Sequence, residues 1–81
     1  MKKSAVVFEY FKKELPEGII LLQINPMDLT GTEILISTEG HLKKEEREFD
    51  DEIYDDLEED GFEKGNPLEF NLYLEKIKKG R

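Results

Sequence analysis

Two short apolar runs constrain this chain more than any other feature. Ile19-Ile-Leu-Leu-Gln-Ile24 lies between Gly18 and Asn25-Pro26. Thr32-Glu-Ile-Leu-Ile-Ser-Thr38 follows after the loop Asn25-Pro-Met-Asp-Leu-Thr-Gly31, which carries turn chemistry at both ends. Each run is short and firmly bounded, so each reads as a strand. Side chains alternate along a strand. Ile19, Leu21 and Gln23 then point one way and Ile20, Leu22 and Ile24 the other, while Ile34 and Ile36 oppose Leu35. Both sheet faces need cover, from helices or from a second copy of the chain.

The flanks offer that cover. Ser4 to Leu15 reads as a helix, because Val7, Phe8, Phe11 and Leu15 follow helical spacing, with Ser4 as N-cap and Lys12 and Lys13 at the C-terminal end. Pro16 and Gly18 terminate it. The β-branched and aromatic residues between Ala5 and Phe11 leave an extended alternative open. At the other end, Asn66 followed by Pro67 and Glu69 suits an N-cap, N1 and N3, and Lys76, Lys78 and Lys79 suit a last turn. Residues 67–79 are therefore expected to be helical. Phe70, Tyr73, Leu74 and Ile77 form one side, and Leu68 and Leu72 lie opposite.

Between these lies the most acidic part of the chain. Glu45 to Lys64 holds twelve carboxylates against two bases, Arg47 and Lys64, and dominates the net charge of −8. One long helix from Leu42 to Asp60 would place Glu45 and Glu46 on or beside the apolar stripe of Phe49, Ile53 and Leu57, which is costly. The better parsing turns at Glu39-Gly40, runs His41 to Phe49 back as a charged edge strand, and then forms a short helix. Asp50 is its expected N-cap, with Asp51 and Glu52 in the first turn. Gly61 and Phe62 fit the C′ and C″ positions. Asp55, Asp56, Glu58, Glu59 and Asp60 fall on this reading at the wrong end for the helix dipole.

The expected fold is thus α+β, one domain over residues 1–81: a helix, a three-stranded antiparallel meander and two C-terminal helices. Composition narrows the function. The chain has no cysteine, which removes disulfides, thiolate nucleophiles and cysteine metal cages. Asp56-x-Glu58-x-Asp60-Gly61 imitates the start of a calcium loop. It fails at the eighth position, Glu63, and at the twelfth, where Pro67 replaces the bidentate glutamate. The single His41 has no thiolate or second imidazole to share a zinc ion with. Paired carboxylates abound, but nothing in the spacing places two across a cleft. We expect no catalytic residues, no metal and no cofactor.

The acidic field repels phosphate backbones and anionic membranes, so no nucleic-acid or membrane partner is expected. Lys2 and Lys3 precede an apolar run that Glu9 interrupts, and no stretch approaches a membrane span, so a cytoplasmic protein is expected. The acidic stretch serves either solubility alone or a basic protein partner. The second reading assigns partner contacts to Asp51, Tyr54, Asp55, Glu58 and Glu59, with Tyr54 as the aromatic anchor. It makes the chain a non-catalytic binding module or adaptor; an accessory subunit of an enzyme and a small acidic inhibitor or nucleic-acid mimic are the alternatives. A monomer is favoured over a homodimer, with the first helix covering Leu68 and Leu72.

Overall fold

The two apolar runs are strands, and they occupy the centre of a five-stranded antiparallel sheet. The computed structural model describes residues 7–79. In chain order the elements are β1 (Glu9–Leu15), β2 (Gly18–Asn25), β3 (Thr30–Ser37), β4 (Leu42–Glu48), α1 (Ile53–Glu59), β5 (Glu63–Lys64) and α2 (Pro67–Lys79). The four long strands form a meander, and β5 adds a short antiparallel strand beyond β1, giving the order β4-β3-β2-β1-β5.

The first element departs from the expected fold. A strand, not a helix, fills residues 9–15, so the long-stranded meander has four members and the fold is mostly sheet. The proposed Ser4 cap lies outside the described residues. The ambiguity is geometric: Phe11 and Leu15 are four apart, a spacing that shares one side of a helix and one side of a strand alike. Tyr10 and Phe11 break the tie. The Tyr10 ring meets Phe70 edge-on at 5.5 Å on one face, while Phe11 meets Tyr54 at 6.2 Å on the other. Leu15 pairs with Gly18 across a tight turn at Pro16-Glu17, and the register continues to Glu9 opposite Ile24. The backbone edge of β2 is thereby satisfied.

Each face of the sheet has one helix. On the α2 face, Leu21, Ile34, Ile36 and Phe70 form a buried cluster, supported by Tyr10, Ile19, Leu42, Tyr73, Leu74 and Ile77. On the α1 face, Leu22 and Ile24 pack with Ile53 and Leu57, supported by Phe11, Leu29, Phe49, Tyr54 and Phe62. Phe49 crosses over Gly31. A Cβ at Gly31 would sit 2.8 Å from the Phe49 ring and would also collide with the Gln23 carbonyl, so only glycine fits. Because the first segment is a strand, no helix there covers α2. Leu68 is 79% and Leu72 57% exposed.

β4 is the charged edge strand expected from its sequence. Most of its charges are matched: Lys43 to Glu45 at 3.1 Å, Lys44 to Glu46 at 3.6 Å, and Arg47 to Glu33 on β3 at 2.8 Å. Such an edge resists pairing with another strand. Between β2 and β3, Leu29 adopts φ 61°, rare for a leucine. Its side chain packs on the α1-face cluster, and its carbonyl accepts the Phe49 N–H at 2.9 Å. The Asp28 carboxylate accepts the Thr30 hydroxyl at 2.8 Å and the Thr30 N–H at 3.1 Å, which together hold its pKa below the usual value.

Candidate functional site

The site proposed from sequence is α1 and the turn before it. The chain enters from β4 through Asp50, but Asp50 is not the N-cap. Its side chain accepts the Glu52 N–H at 3.1 Å and its carbonyl the Ile53 N–H at 3.1 Å, forming a local turn. The cap position falls on Glu52, whose side chain makes no capping bond. The later start moves Asp55 and Asp56 into the first turn, where the dipole favours them, and corrects their expected placement at the wrong end. Glu58, Glu59 and Asp60 remain at the C-terminal end, and the last turn holds no basic residue.

The helix stops as its sequence predicts. Gly61 takes φ 88°, its N–H bonds the Glu58 carbonyl at 3.1 Å, and the Phe62 N–H bonds the Leu57 carbonyl at 2.9 Å. These two bonds define a Schellman motif, which needs glycine at its left-handed position. Phe62 then packs into the core beside Leu57.

Ile53 and Leu57 are the buried side of α1. Asp51, Asp55, Glu58 and Glu59 are exposed. Tyr54 differs from them. Its ring lies half-buried against Phe11, and its hydroxyl is closed off from water with no hydrogen-bond partner. Burial raises its pKa, and the Glu9 carboxylate adds to the rise. In this position the ring belongs to the core more than to the outer surface. Among the described residues, no carboxylate from Asp50 to Asp60 takes part in an ion pair, whereas Lys12, Lys43, Lys44 and Arg47 are all matched elsewhere.

Other chemistry is sparse. A cavity of about 640 Å³ lies where β1 and β5 meet the start of α2. Its charged lining is balanced: Lys12, Lys13 and Lys64 against Glu14, Glu63 and Glu69. Lys12 Nζ stands 3.2 Å from Glu69, which raises the lysine pKa against the opposing effect of burial. Among the described residues, no three His, Asp or Glu side chains gather as a metal-holding group. Asp56 to Glu59 is helical and Asp60 is the C-cap, so their carboxylates fan around an axis instead of converging. His41 is exposed, 4.0 Å from Glu39. No helix among the described residues is long and apolar enough to cross a membrane.

Sequence reasoning missed one surface. On the α1 face, Leu15, Ile20 and Leu35 line a second, mostly apolar groove of about 310 Å³ that α1 does not reach. Strand alternation placed these residues together; they are half-buried, and no residue of α1 lines the groove.

The fold and site define a small mixed domain, a five-stranded antiparallel sheet with one helix on each face, whose shorter helix is acidic. Comparison with protein-family models, with curated proteins and with solved structures finds no match.

Proposed function

We propose that this protein is a non-catalytic binding module that presents α1 to a basic surface of a protein partner. One observation carries the reading. The carboxylates from Asp50 to Asp60 are exposed and unpaired among the described residues, while Lys12, Lys43, Lys44 and Arg47 pair with acids outside that stretch. Glu58, Glu59 and Asp60 also oppose the dipole of their own helix, so they do not stabilise it. Concentrated charge of one sign speeds encounter with a complementary surface and selects against wrong partners. Asp51, Asp55, Glu58 and Glu59 form the outer contact surface. Tyr54 supports it from below as a packing residue. The same field disfavours nucleic acid and anionic membranes. A monomer in the cytoplasm fits this reading.

Affinity capture by the immobilised protein tests it. The wild type should retain a basic protein at low salt and release it at high salt, since exposed charge contacts are screened. Asp51→Asn, Asp55→Asn, Glu58→Gln and Glu59→Gln combined should abolish retention. Capture unchanged by that variant would refute the reading.

A further inference from the structure

The turn that stops α1 is also a reactive junction of the main chain. An aspartyl carboxyl is open to attack by the amide nitrogen that follows it, which closes a five-membered imide. A glycine in second place leaves that nitrogen unshielded. Asp60-Gly61 is the one place in the chain where aspartate or asparagine precedes glycine. Both residues are exposed, and nothing lies within 4 Å of where a Gly61 Cβ would stand. The Asp60 carboxylate is in no ion pair among the described residues. Asp28 and Asp50 differ. Each carboxylate accepts the N–H two residues on, at 3.1 Å, and the residue that follows carries a side chain.

The fold restrains the reaction at Asp60. Closing the ring requires the Asp60 Cβ to come into line with the Gly61 nitrogen across the Cα–C bond. Asp60 stands at φ −82° and ψ −3°, which holds the two apart. The nitrogen is also occupied. The Gly61 N–H donates to the Glu58 carbonyl at 3.1 Å, and the Phe62 N–H beyond it donates to the Leu57 carbonyl at 2.9 Å. Both bonds must open before the nitrogen can turn to the carboxyl. They close a seven-residue helix that has no side-chain cap and no base in its last turn. Such an end opens locally at much lower cost than the whole domain unfolds.

We propose that Asp60-Gly61 is a site of spontaneous isoaspartate formation, gated by opening of the α1 stop. The Gly61 nitrogen bonds to the Asp60 Cγ, and its proton leaves with the carboxyl hydroxyl as water. A second water then opens the imide at the Asp60 backbone carbonyl, breaking the bond from that carbon to the Gly61 nitrogen. The product is an isomer of unchanged composition. Its main chain runs through the former side chain, and the free carboxylate sits on the Asp60 Cα. The extra main-chain carbon displaces Gly61 from its left-handed position and draws Phe62 from its seat beside Leu57. The change therefore loosens the end of α1 that carries Glu58 and Glu59. No partner is needed for this chemistry, so it stands or falls apart from the proposed basic surface.

The test is to hold the purified protein at near-neutral pH for weeks and follow isoaspartate by peptide mapping and by isoaspartate-specific enzymatic methylation. Isoaspartate should gather at position 60 ahead of every other aspartate. It should form about tenfold or more slowly in the folded protein than in the chain unfolded in urea, since opening the stop has a cost. Asp60→Glu should abolish it. Phe62→Ala removes the apolar contact of the stop and should speed the reaction severalfold in the folded protein. Leu74→Ala weakens the packing of α2 on the other face of the sheet and should leave the rate unchanged. Equal rates in folded and unfolded chains would overturn the gating. So would an equal acceleration by Leu74→Ala, which would route the reaction through global unfolding. Isoaspartate arising first at Asp28 or Asp50, or none at position 60, would overturn the site itself.

Discussion

The two helices of this domain do the same job by opposite means. α2 runs thirteen residues on one face of the sheet, and α1 runs seven on the other. α2 obeys every local rule. Asn66 caps it, accepting the Leu68 N–H at 2.8 Å, Glu69 lies in its first turn, and three lysines lie in its last. α1 has no side-chain cap and no base in its last turn. It is held by Ile53 and Leu57 beneath it and by the glycine stop at Gly61. Where local chemistry and helix geometry agree, stability is the sufficient explanation. Where they conflict, the charge does not stabilise the helix that carries it.

The comparison breaks hardest at the core. Phe70 is 1% exposed at the centre of the α2-face cluster. Phe70→Ala should cost about 3–5 kcal/mol, and Leu57→Ala on the thinner α1 side about 2–3 kcal/mol. Urea melts of both should rank them in that order; the reverse order would make α1, not α2, the main brace of the sheet.

The caps come next. Asn66→Ala should cost about 1 kcal/mol, the ordinary value of an N-cap. Asp50→Ala should cost less, about 0.5 kcal/mol, because its side chain makes a single exposed turn bond. Equal losses in thermal melts would mean that the Asp50 turn acts as a cap after all.

Tyr54 sharpens the contrast from the other side. Its buried hydroxyl lacks a partner, so Tyr54→Phe should stabilise by up to about 1 kcal/mol. Lys12 and Tyr54 also predict a pH dependence. Both have folded pKa values above their ordinary values of 10.5 and 10.0, so stability does not depend on their titration below those values. It falls as pH rises through the folded values. The midpoint of a denaturant melt should fall above about pH 10, and Tyr54→Phe should flatten that fall. A flat alkaline profile in the wild type would contradict both assignments.

Much of this architecture is legible in the sequence where punctuation and pattern coincide. β2 and β3 announce themselves as apolar runs between Gly18, Asn25-Pro26 and Gly40. β4 reads as a guarded edge from alternating Lys, Arg and Glu. α2 is marked by Asn66-Pro67 and its terminal lysines, and α1 by Gly61-Phe62. β1 is hidden because Phe11 and Leu15 satisfy two periods at once, and because only the free edge of β2 demands a strand there. β5, two residues long, has no pattern to read. The start of α1 shifted from Asp50 because the Asp50 side chain closed a local turn first. The groove beside Leu15, Ile20 and Leu35 could not be read at all. It depends on where α1 lies over the sheet, a tertiary quantity with no local signature.

The smallest expected effect tests the central claim most directly. If the C-terminal carboxylates of α1 serve a partner and not the fold, removing their charge should leave stability unchanged or raise it. Glu58→Gln with Glu59→Gln should shift the free energy of unfolding by about 0 to +1 kcal/mol in a urea melt, through relief of the helix dipole. A loss of more than about 1 kcal/mol would show that these charges hold the domain together, and the case for a binding surface on α1 would fall with them.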